Sequence, residues 1–183
     1  MRIAQTEEGG LRIILTEDRE WELFELLIVD AEGRGEGWLA KRLGVIMDDE
    51  DWDEFVAPEL TTQFQEAVEK IRTALRVAFD ESMIRLKESE RPHEPNLELP
   101  LDDEEEKEPR GEILIVREEG QTWYSVFNQA RLALEGKWKL AALENEEDFE
   151  SLEKIESERL AAYLRYQFYT RLQTFLLDFA IEL

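Results

Sequence analysis

Residues 112–136, EILIVREEGQTWYSVFNQARLALEG, decide the class of fold. Ile113, Leu114, Ile115 and Val116 form a run of strand length rich in β-branched side chains, and Arg117 to Gly120 interrupt it. Beyond Gly120 the period of the apolar residues changes. Trp123, Phe127, Ala130 and Leu134 recur every three or four positions, which puts them on one face of a helix. Gly136 is expected to end that helix. A strand over 112–117 that runs directly into a helix requires a mixed fold.

The same order occurs nearer the N-terminus. IILTEDREW (13–21) and ILIVREEGQTW (113–123) each pass from an apolar strand through acidic residues to a Trp that opens a helix, so the two units have strands to pair in one sheet. MRIAQ (1–5) and LRIIL (11–15) flank TEEGG, whose Gly9-Gly10 pair permits the positive φ of a hairpin turn. Thr16 is placed to cap a helix over 17–29 with Trp21, Phe24 and either Leu27 or Ile28 sharing its apolar face. A short helix over 38–43 is expected to follow. From Leu60 to Ser89 helical spacing is sustained by Leu60, Phe64, Ala67, Ile71, Ala74, Ala78 and Met83. Residues 90–110 hold four of the five prolines and nine carboxylates, a composition that predicts a flexible loop. A last helix is expected over 148–181; beyond Leu160 it is apolar on most sides and belongs among other helices. The expected fold is α+β, mostly α. A small antiparallel sheet from residues 1–15 and 112–117 packs on a helical cluster around the long C-terminal helix, in a single domain over 1–183.

Composition excludes several functions. The 183 residues carry 45 Asp plus Glu against 22 Lys plus Arg, a formal net charge of -23. Nucleic acid and anionic membrane are therefore poor partners, since both require clustered cations. A protein with a basic surface suits the charge better. The acids are clustered: residues 48–54 carry -6, residues 102–108 carry -5 and residues 144–158 carry -7. No cysteine is present, which removes disulfides, thiolate chemistry and Cys-ligated metal. No apolar run reaches the ~18 residues of a membrane span, and MRIAQTEEGG lacks the apolar stretch of a secretory signal, so the expected location is the cytoplasm.

No metal or cofactor motif is complete. The run Asp48 to Glu54 resembles a calcium loop in charge, but the turn glycine is missing. The lone histidine, His93, lies between Pro92 and Pro95 and offers no rigid base or ligand. Gly33, Gly35 and Gly37 lack the lysine of a phosphate loop and stand beside Glu32 and Glu36. No catalytic residue is assigned, and no cofactor or metal is expected. Trp52, between Asp51 and Asp53 and close to Phe55, is a candidate anchor for a partner. Tyr124, Asn128, Arg131 and Glu135 form a polar stripe beside the Trp123-Phe127-Leu134 face, and Tyr166, Thr170 and Gln173 form another on the last helix. Two readings of the stripes stand side by side: Arg131 and Gln173 tie the helices together, or the stripes line a polar pocket for a peptide end or a small anion.

QTWYSVFNQARLALEG and AAYLRYQFYTRLQTFLLDF resemble the two most recognisable segments of the bacterial domain-of-unknown-function 2017 family. The matching positions are Trp123, Asn128, Arg131, Leu132 and Leu134, then Tyr166, Phe168, Thr170, Leu172 and Gln173; Gln129 and Thr174 depart from the family pattern. The resemblance implies no reaction. Members of that family are often encoded beside the adaptor of the Clp protease, which implies a link to protein turnover. The expected function is a non-catalytic, acidic protein-binding or regulatory module, with a metal-dependent or carboxylate-based enzyme as the alternative.

Overall fold

In the computed structural model, residues 1–33, 38–43, 52–89, 109–145 and 156–179 are described. The expected flexible loop falls almost wholly outside them, as do His93, most of the glycine-rich run and residues 48–51. Strands β1 (Arg2–Gln5) and β2 (Leu11–Leu15) pair antiparallel, with Arg2 opposite Ile14 and Gln5 opposite Leu11. Strand β3 (Gly111–Ile115) pairs antiparallel with the other edge of β2, Leu11 opposite Ile115 and Leu15 opposite Gly111, which makes β2 the central strand. The two strand-helix units thus share one sheet, as their sequences predict.

The hairpin turns at Thr6 to Gly10. Gly9 has φ +81°, and Thr6 receives the Gly9 amide on its carbonyl and the Gly10 amide on its Oγ1. Gly10 is needed for space: a Cβ there would stand 2.5 Å from the Ile115 carbonyl oxygen. Alternation decides which sheet face is covered. Leu11, Ile13, Leu15, Ile113 and Ile115 are buried beneath the helices, whereas Arg12 and Leu114 face outward.

The described residues include five helices: α1 (Arg19–Ala31), α2 (Trp38–Leu43), α3 (Ala57–Ser89), α4 (Gly120–Trp138) and α5 (Ser157–Phe179). A single π-helical turn, Trp52–Val56, leads into α3, and 3₁₀ turns flank α4. The predicted α+β, mostly helical class holds. Within it the central position belongs to α4, which packs on α1, α3 and α5. Helix α5 lies along α4 with one face buried, through Ala162, Tyr166, Tyr169, Leu172 and Leu176, while Leu164 is 61% exposed. Aromatic contacts run through the core from Trp123 to Phe127, Tyr169, Phe168 and Phe24, with neighbouring ring centres 5.6–6.0 Å apart.

Two helix ends differ from expectation. Thr16 does not cap α1: Asp18 occupies the N-cap position without a side-chain bond, and the Glu20 carboxylate accepts the Thr16 and Glu17 amides at 2.6 and 3.1 Å. Its other oxygen takes the Met1 ammonium at 2.5 Å. Gly136 does not end α4. The helix continues to Trp138, and Lys139 adopts the left-handed conformation at φ 54°.

Glu20 gives a pH test. Burial raises its pKa, but the bonds from the Met1 ammonium, Thr16 and Glu17 outweigh burial and hold the carboxyl below its usual value. A depressed carboxylate stabilises the fold above its unfolded pKa, and that contribution disappears as pH falls through the folded value. Glu20→Gln is therefore expected to cost roughly 1 to 3 kcal/mol at neutral pH, with the gap to wild type closing on acidification. Urea titrations from pH 7 to pH 3 check this; a gap that stays constant across the range refutes it.

Candidate functional site

Helices α4 and α5 bring the two predicted polar stripes together in one seam. Arg131 donates from Nη1 to Gln173 Oε1 at 2.6 Å and from Nη2 to the Tyr166 hydroxyl at 3.2 Å. Its guanidinium also stands 4.9 Å from the centre of the Tyr166 ring. Gln173, itself buried, donates from Nε2 to the Tyr124 carbonyl at 3.3 Å and so bridges both sides of the seam. Thr170 donates to the Tyr166 carbonyl one turn back. Asn128 lies on the same α4 face, a turn from both Tyr124 and Arg131, half-buried and with no side-chain hydrogen bond to a described residue. Glu135, the carboxylate one turn beyond Arg131, instead accepts the Ala141 amide at 2.7 Å.

This arrangement fastens α4 to α5. Arg131 is held by neutral acceptors, and among the described residues no carboxylate pairs with it. Its Nε is enclosed with no hydrogen-bond partner among the described residues. The geometry therefore brings six of the seven predicted residues into one region. Trp52 stands apart, in the turn before α3, half-buried and with its Nε1 unbonded among the described residues. Beside it Phe55 is 63% and Val56 40% exposed.

Sequence reading missed a second polar cluster. Asp30 on α1 accepts Arg165 Nε at 2.8 Å, Arg165 Nη2 at 3.4 Å and the Tyr169 hydroxyl at 3.0 Å. Burial, then the adjacent Asp30 charge, push the Tyr169 phenol well above its usual range, so it remains a proton donor. Arg42, outside that cluster, is a further half-buried polar residue of this kind. It donates to the Ala31 and Glu32 carbonyls at the end of α1 and to Gln129 Oε1 of α4, and burial lowers its pKa to about 10. The only local signal for Arg42 is a cation soon after a helix end; Asp30 and Arg165 have none.

Several hydroxyls are likewise spent within their own helices: Thr62, Ser82, Thr170 and Thr174 each donate to a carbonyl four residues back. Among the described residues, no three His, Asp or Glu side chains lie close enough to hold one metal ion. No described helix is long and apolar enough to cross a membrane.

Comparison with known proteins gives one match. A family model described as a domain of unknown function, DUF2017, covers residues 40–180. No curated protein and no solved structure matches the chain. The matched span takes in α3, β3, α4 and α5, and with them both sides of the Arg131 seam, so the chain belongs to the DUF2017 family of domains of unknown function.

Proposed function

We propose that this chain is a non-catalytic binding module that recognises a protein partner with a basic surface. The observation that carries the reading is the exposure of Phe55 and Val56 directly beside the acidic run of residues 48–54. An apolar anchor that adjoins a run of like charge in the sequence suits recognition in which charge steers the partner and the aromatic side chain supplies most of the affinity. Trp52 supports that patch from the same turn. The Arg131 seam serves this function indirectly, by keeping α4 and α5 in register. The finer reading, a cytoplasmic regulatory partner of proteolysis machinery, rests on the family resemblance.

The test is comparative capture from lysate by wild type and by Phe55→Ser, at low salt and at about 0.5 M salt. A basic partner is expected whose binding falls at least about tenfold with either change, the loss of a modest anchor. The exposed position of Phe55 predicts an unchanged melting temperature. Partners that bind equally well in high salt and to the variant overturn the reading.

A further inference from the structure

Helices α1 and α3 leave a groove of about 310 Å³ between them. Its walls are Trp21, Phe24 and Ile28 from α1 and Leu75 and Phe79 from α3; the Trp21 and Phe79 rings meet edge to face at 5.3 Å. The volume is at the lower end of the range for small-molecule sites, room for one aliphatic chain and little more. The rims are charged and unlike. Arg72 and Arg76 stand on the α3 side and Glu25 on the α1 side.

The cations of α3 are not equivalent. Lys70 is paired with Glu119, Arg72 with Glu32 and Glu69, and Arg85 with Glu112. Arg76 is exposed and has no ion-pair partner among the described residues, although it lines the groove. Lys87, further along α3, also has no ion-pair partner among the described residues, but it does not line the groove. The geometry points to a binding site for a medium-chain aliphatic carboxylate, its chain lying along the groove against Ile28, Leu75 and the touching Trp21 and Phe79 rings, and its carboxylate on Arg76. Glu25 repels a carboxylate from the opposite rim and so fixes the direction in which the ligand lies. This site is independent of the Phe55 surface.

Octanoate and 1-octanol, titrated calorimetrically into the full chain, test it. The overall charge of the protein opposes binding of any anion, so a preference for the acid over the alcohol requires a local cation. Octanoate is expected to bind saturably and at least about tenfold more tightly than octanol, the equivalent of one solvent-exposed charged contact. Arg76→Gln should abolish that preference while leaving the melting temperature unchanged. Phe79→Ser should weaken both ligands, and Glu25→Gln should tighten octanoate alone. Three results overturn the inference: no saturable octanoate binding, equal octanoate affinity in wild type and Arg76→Gln, or tighter binding of N-acetyl-leucine than of octanoate, which would identify a peptide terminus as the occupant.

Discussion

Asp30→Ala is expected to lower the free energy of unfolding by about 3 kcal/mol, because it strands two groups that have no other partner for the same hydrogen atoms among the described residues. The Arg165 guanidinium loses a two-point contact and the fully buried Tyr169 loses its acceptor. The side chains of Arg165 and Asp30 keep 19% and 12% exposure, so the cost belongs at the low end of that for a buried pair. Overall charge works in the opposite direction, since removing one acid from a chain of net charge -23 relieves repulsion. A loss of stability is therefore attributable to the cluster. The double variant Asp30→Leu with Arg165→Met should recover much of it, because no unpaired charge then remains. Urea midpoints decide the matter: a single-variant loss below about 1 kcal/mol would mean that water replaces the pair without penalty.

Trp123→Ala is expected to cost about 3 to 5 kcal/mol, the usual result of emptying an aromatic site in a closed core. Trp123 has no exposed surface and its ring centre lies 6.0 Å from that of Phe127. Trp123→Phe should behave differently. The indole Nε1 is enclosed with no hydrogen-bond partner among the described residues, and an unmet buried donor costs about 1 to 3 kcal/mol. Phe removes that donor along with part of the volume, so the two effects offset and the net loss should be no more than about 1 kcal/mol. Thermal denaturation of both variants checks the pair, and a Phe variant as unstable as the Ala variant would show that Nε1 is bonded after all.

The elements were legible wherever the cause of structure is local. The change of period near Gly120 fixes β3 and α4, and the Gly9-Gly10 pair fixes the hairpin. The two polar stripes were legible for the same reason: Tyr124, Asn128 and Arg131, like Tyr166, Thr170 and Gln173, keep helical spacing, so each stripe announces a face, though not that the two faces meet. What the sequence hides is long-range pairing. Asp30 and Arg165 are 135 residues apart, and nothing in their surroundings distinguishes them from solvated charges on helix surfaces. Arg42 reaches a glutamine 87 residues away for similar reasons. Gly136 misled because tertiary burial outweighs a local stop signal. By running on to Trp138 and turning at Lys139, the chain brings Leu140 and Leu143 into the core. The C-terminal helix drew attention by its many apolar residues, yet α4, with fewer, has more neighbours and therefore holds the centre.

The central strand also has a history during synthesis. β2 emerges well before its second neighbour, β3, which lies about a hundred residues further along the chain, a separation typical of slowly closing contacts. At the usual rate of translation that interval is roughly 5 to 20 s, during which one edge of β2 has no strand to bond and Leu11, Ile13 and Leu15 have no helix α4 to cover them. An open, apolar strand edge is the element through which nascent chains stick to one another. β1 shields one side of β2, and Glu7 and Glu8 in the hairpin turn add charge beside it. For this protein the hairpin therefore covers one edge of β2 and leaves the other open during the seconds before α4 and β3 arrive.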